Sequence, residues 1–195
     1  MNMPEDKPLR IVGRKIVWEG RFVRAMLLEY MDDKGAVRTW EGVERVNCEG
    51  IVAIIPITTD GDILMIRQYR PTLNNFVIEL PAGLNDKGET LIEAAKRELI
   101  EETGYMSENL ELIAEGPVST GLSTESMSVY LATNVVPATP QLLALYPMDE
   151  TEDIELIKTP LSTANEKVEE LCRTGNIADL KMYGFIALAQ KKLGC

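Results

Sequence analysis

The chain has 195 residues, 45% of them hydrophobic, with a mean hydropathy of −0.06 and a formal charge of −11. That length and composition can bury one ordinary core plus a small extension, and the acidity repels nucleic acid and anionic membrane at long range, so a small anionic substrate must be held by local cations. Histidine is absent, which excludes Ser/His/Asp and Cys/His triads and His-ligated metal centres and leaves acid–base work to carboxylates.

Cys48, Cys172 and Cys195 share no C-x-x-C spacing and read as reduced, incidental thiols. The opening MNMPEDKPLR carries acids and no apolar run of the kind a signal peptide needs. The longest apolar run, Ile51 to Ile57, is interrupted by Pro56 and is too short to span a bilayer. The cytoplasm is therefore the expected location.

In chain order, strands are predicted at Ile11–Trp18, Phe22–Tyr30 and Val37–Val46, with turns at Glu19-Gly20 and Asp32-Asp33-Lys34-Gly35. Such hairpins cannot bury themselves alone and must pack on the main domain or on a second subunit. Gly50–Ile57 is a continuous run of the kind buried on both faces; the Asp60-Gly61 turn and a strand at Ile63–Gln68 follow. Phe76–Leu80 is a short strand leading into Pro81-Ala82-Gly83. Leu110–Ala114 and Met127–Thr133 read as strands bracketing a loop at Ser119–Ser126, and Val135–Asp153, with three prolines and clustered acids, reads as a mobile loop. A last strand at Ile154–Ile157 precedes two helices. The first spans Ser162–Cys172, and the second spans Asp179–Leu193 with an apolar face through Met182, Phe185, Ile186 and Leu188. A mixed sheet with helices on both sides, an α/β/α sandwich, fits this order.

The chemistry is concentrated in Gly83–Tyr105, GLNDKGETLIEAAKRELIEETGY. Thr90 followed by Glu93 is a capping-box signature, so a helix starts at Leu91 and ends before Gly104. Leu91, Ile92, Ala95 and Leu99 form one apolar stripe, with Glu98 and Glu102 along its edge and Glu101 beside them. Acids three and four residues apart on one helix face repel, and half-burying them requires a cation. An all-oxygen cluster suits magnesium, with manganese as a substitute, better than zinc. A charged helix with a wet face is the plainer alternative, and spacing decides between them.

The stretch fits G-x5-E-x7-R-E-U-x-E-E-x-G-U, where U is bulky and apolar, at Gly83, Glu89, Arg97, Glu98, Leu99, Glu101, Glu102, Gly104 and Tyr105. At about 0.05 to 0.1 per fixed position, a chance match is on the order of one in a million. This is the Nudix box, and the chain resembles Nudix hydrolases. Flanking segments look like the ADP-ribose pyrophosphatase branch: Arg38-Thr39-Trp40-Glu41, Arg67-Gln68-Tyr69-Arg70, Glu79-Leu80-Pro81-Ala82-Gly83-Leu84, Gly121-Leu122-Ser123 with Glu125, and Asp149-Glu150-Thr151-Glu152-Asp153-Ile154.

The resemblance implies a Nudix domain over residues 47–195 and an N-terminal antiparallel β extension over residues 1–46 that builds a homodimer and contacts adenine. It implies metal ligation by Glu98, Glu102, the Ala82 carbonyl and Glu152, with Glu89 reaching the cluster directly or through water. Glu150 is implied as general base, with Glu101 competing for that role, and Arg97 as the residue that orients the box acids. Substrate contacts are implied at Phe22, Trp40, Glu41, Arg45, Arg70, Leu84, Ser119 and Glu125. The implied reaction is magnesium-dependent hydrolysis of ADP-ribose to AMP and ribose 5-phosphate. Thr120 stands where many relatives of that branch have proline, which loosens the loop near the terminal sugar and keeps GDP-mannose and other nucleoside diphosphate sugars as alternatives. A non-catalytic nucleotide sensor is the third alternative, although no box acid is lost.

Overall fold

The computed structural model describes residues 9–85, 88–148 and 153–194, which divide into two units. The first comprises the chain up to Glu49 together with Gly116–Ser126. The second comprises Gly50–Glu115 and the chain from Met127 onward.

In the first unit, β1 (Arg10–Glu19), β2 (Val23–Met31) and β3 (Val37–Arg45) form an antiparallel meander, where three strands and two turns are predicted. The β2–β3 turn is built by Asp32, whose carboxylate accepts from the Ala36 and Lys34 amides, and by Gly35 at φ +79°. Met26 is fully buried here, opposite Gly42. Almost all of β1 is exposed.

The second unit holds a nine-stranded mixed sheet. Its strands are β4 (Ile51–Thr58), β5 (Asp62–Arg70), β6 (Asn75–Glu79), β7 (Ala82–Leu84), β8 (Tyr105–Met106), β9 (Asn109–Pro117), β10 (Ser126–Pro137), β11 (Ile154–Pro160) and β12 (Ile177–Ala178). The main path runs β12-β6-β5-β4-β10-β8, with β11 on β5, β7 on β4 and β9 on β10. β4 and β10 are parallel and so are β12 and β6, while the other registered pairs are antiparallel. β4 is buried on both faces, as its largely apolar run predicts. Val52 and Ile54 join Leu64, Tyr130, Ala132 and Val135 beneath helix α1 (Leu91–Thr103), which contributes Ala94, Ala95 and Leu99. The α/β/α sandwich is completed by α2 (Pro140–Leu145), α3 (Ala164–Arg173) and α4 (Lys181–Leu193), the last also contacting β4. None of the described helices is long and apolar enough to cross a membrane.

Three expectations need correction. Val135–Asp153 is not a loop throughout: β10 continues to Pro137, and Thr139 caps α2 with Pro140 at its first turn. On α1, Ile92 is exposed and Ala94 is buried, so the apolar stripe is rotated toward Ala94, Ala95 and Leu99. On α4, Leu188 is exposed and Ala189 takes its place beside Met182 and Ile186. In both helices a small alanine permits close approach to the sheet, whereas hydrophobicity alone favours the larger neighbour. The two-residue strands β8 and β12 and the three-residue β7 carry too little periodicity to be read from sequence.

Among the described residues, no disulfide involves Cys48 or Cys172. Cys195 lies outside the described residues.

Candidate active site

The box helix forms as its ends dictate. The Thr90 side chain accepts from the Glu93 amide while the Glu93 side chain accepts from the Thr90 amide, and Gly104 closes the helix at φ +72° with its N–H on the Ile100 carbonyl. These caps fix the rotation of the acids relative to β7. Glu98 and Glu102 are 9% and 3% exposed, deeper than the stripe-edge position expected of them.

The cation that intervenes among three of these acids is part of the chain. Arg97, 5% exposed, donates through Nε and Nη2 to Glu89, through Nη1 to Glu98 and Glu101 at 2.7 Å each, and through Nη2 to the Leu84 carbonyl at 3.1 Å. Burial disfavours its charge. The Glu89 hydrogen bond, followed by the pull of Glu98 and Glu101, more than offsets that and holds the guanidinium's proton more tightly than in an ordinary arginine. Repulsion among Glu89, Glu98 and Glu101 therefore does not by itself demand a metal.

Glu102 is held differently, with Oε2 accepting from the Ala82 amide at 2.9 Å. Gly83 completes the floor: a Cβ there would lie 1.9 Å from Glu98 Oε1, so only glycine lets that carboxylate reach the strand. The Gly83 cradle was legible in the sequence only as a motif letter.

The donor set suits a hard divalent cation. It is all oxygen, it is largely buried, and one guanidinium faces three of four acids, leaving an excess of negative charge that a hard cation would balance. Among the described residues no three acids or thiols converge closely enough to hold a metal by themselves. Glu150 and Glu152 lie outside the described residues.

Also in the second unit, Arg70 donates to Glu79, with Nε at 2.9 Å and Nη2 at 2.6 Å from Oε2. The β5–β6 register sets Arg70 opposite Asn75 and Glu79 opposite Ile66, so the pair is made by the reach of two long side chains along the hairpin and no sequence signal announces it.

The remaining candidates lie in the first unit, Leu84 apart. Phe22 and Trp40 are 60% and 51% exposed, so neither is a core aromatic, and the Arg21 guanidinium lies 4.9 Å from the Phe22 ring centre. Glu41 is exposed. Trp40 Nε1 donates to the Gly121 carbonyl at 3.0 Å, and Arg45 Nε donates to Glu125 Oε1 at 2.7 Å. Ser119 turns the segment through its carbonyl, which accepts from the Leu122 and Ser123 amides. Sequence reading missed Gly121 and Ser123 as partners, although both fall within a quoted motif.

A family model described as the NUDIX domain matches residues 49–170. An uncharacterized Nudix hydrolase of Schizosaccharomyces pombe is 32% identical over 165 residues, covering 81% of this chain and 80% of that protein. An ADP-ribose pyrophosphatase of Bacillus subtilis is 36% identical over 126 residues, covering 65% of this chain and 66% of that protein. Among solved structures, a crystal structure of an ADP compounds hydrolase superposes with a TM-score of 0.77 at 21% identity, covering 98% of this chain and 97% of that one, a likeness of fold. With a family model covering more than half of its length and a box whose buried acids pack as described, the chain belongs to the Nudix hydrolases.

Proposed function

We propose that the protein is a magnesium-dependent pyrophosphatase that hydrolyses the diphosphate of ADP-ribose to AMP and ribose 5-phosphate. The observation that carries this reading is the buried Glu98 and Glu102 pair under β7, flanked by the Arg97 network. The similarity to a Bacillus subtilis ADP-ribose pyrophosphatase supports the substrate.

Magnesium, when bound, neutralises the diphosphate and activates the attacking water. Glu98, Glu102, Glu152 and the Ala82 carbonyl would hold it. Arg97 donates to Glu98 and Glu101 and so fixes their rotamers, and Glu89 is the third carboxylate that anchors Arg97. Arg70 exchanges Glu79 for a phosphate oxygen, for which its planar fork is suited. Glu150 takes the proton from water. Glu101 is the poorer base because Arg97 already occupies one of its oxygens. A phosphoanhydride P–O bond then breaks.

Phe22 and Trp40 offer half-exposed π-faces for the adenine, with Glu41 and Arg45 as hydrogen-bonding neighbours. The same sheet exposes Ile11, Val17, Trp18 and Val37. A surface this apolar supports a homodimer built through residues 1–46, beside the Nudix domain at 47–195. The charge of −11 favours a small substrate over nucleic acid, and a cytoplasmic location fits the reduced thiols.

A hydrolysis panel of ADP-ribose, GDP-mannose, ADP-glucose, NADH and diadenosine polyphosphates with and without magnesium tests the reading. ADP-ribose should have the highest kcat/KM. Equal turnover of several sugars would favour a broader nucleoside diphosphate sugar hydrolase, the alternative that Thr120 keeps open.

A further inference from the structure

The segment after β9 runs beside β3. The Val43 amide donates to the Leu122 carbonyl at 2.8 Å, the Thr124 amide donates to the Val43 carbonyl at 3.1 Å, and Val43 bridges Ser123 in parallel. This puts two side-chain links in place at once. Gly121 receives the Trp40 indole N–H, and Glu125 receives Arg45 on Oε1 and the Ser123 hydroxyl on Oε2, the latter at 3.3 Å. Both oxygens of Glu125 are therefore engaged within the protein. These two bonds fix the orientation of the carboxylate against Arg45, and the guanidinium that it holds keeps donors to spare for a ligand.

We propose that Glu125 is a positioning residue, acting on nucleotide binding through Arg45, while the Gly121 carbonyl sets the plane of the Trp40 ring. The proposal rests on the reading above that Trp40 and Arg45 face a nucleobase. Its consequence is that base selection belongs jointly to β3 and to the segment Gly121–Glu125. The link is a partly exposed, charge-assisted hydrogen bond, so its removal is felt as about a fivefold change in affinity.

The test is a double-mutant cycle in the full chain, with Arg45→Ala, Glu125→Ala and both together, reading KM and kcat for ADP-ribose with magnesium and Kd for AMP by calorimetry. Glu125→Ala should raise KM and Kd about fivefold with kcat nearly unchanged, and should add nothing once Arg45 is alanine. Glu125→Gln, which keeps an acceptor for Arg45, should recover most of the loss, as a general weakening of the fold would not. Trp40→Phe, which keeps the ring but loses the N–H, should weaken AMP by a smaller factor in the same direction. Additive effects of Arg45→Ala and Glu125→Ala, or a fall in kcat alone, would overturn the proposal. The reading on which it rests fails separately, through absent turnover of ADP-ribose by the unmodified enzyme.

Discussion

The two units place their candidate functional groups by opposite means. Around Arg97 the acids are buried or partly buried and come from one short stretch of chain, with Glu89, Glu98 and Glu101 all within eight positions of the arginine. On the three-stranded sheet the aromatic and basic groups are half-exposed, and the partners that orient them are 81 and 80 positions away. Buried charge demands complete pairing, which a single helix and its preceding loop can supply locally. Exposed recognition groups pay little for solvation, so their orientation can be left to a distant segment. Damage to the first region should therefore abolish chemistry or stability, and damage to the second should shift affinity alone.

The sharpest contrast is expected at Glu102. Glu102→Gln should lower kcat by about a thousandfold with KM little changed, measured on ADP-ribose with saturating magnesium. Gly83→Ala tests the same floor without removing an acid. Because its Cβ would overlap Glu98 Oε1, turnover should fall about a hundredfold, by displacement of a carboxylate proposed to hold magnesium. An alanine variant with wild-type turnover would show that Glu98 does not need the cradle.

Arg97→Met separates charge pairing from catalysis. It leaves Glu89, Glu98 and Glu101 without their shared guanidinium, and its cost should be about 3–5 kcal/mol, read from denaturant titration. Phe22→Ala or Trp40→Ala should instead leave the melting temperature nearly unchanged and raise KM for ADP-ribose about tenfold.

The smallest effect is expected at the helix cap. Glu93 is held below its ordinary carboxyl value, chiefly by the Thr90 hydroxyl and then by the Thr90 amide. A depressed folded-state value stabilises above the unfolded value of 4.5, and that contribution is lost as pH falls through the lower folded value. Glu93→Gln should thus lower the melting temperature slightly at neutral pH, with the difference from wild type vanishing in acid.

What the chain declared in its own letters was local. Thr90, Glu93 and Gly104 bounded α1 to the residue, because capping is a contact between near neighbours, and the box spacing declared the family. The apolar run of β4 and the turn-bounded strands β1, β2 and β3 were likewise legible.

Tertiary structure decided the remainder. It chose Ala94 over Ile92 for the core, because the sheet approaches α1 closely at that side. It extended β10 and formed α2 where prolines and acids suggested a loop. It paired Arg70 with Glu79, and it brought Gly121 and Glu125 to Trp40 and Arg45. Each of these depends on strand register or on contacts between residues far apart in sequence, and periodicity within a short window carries no information about which distant segment arrives.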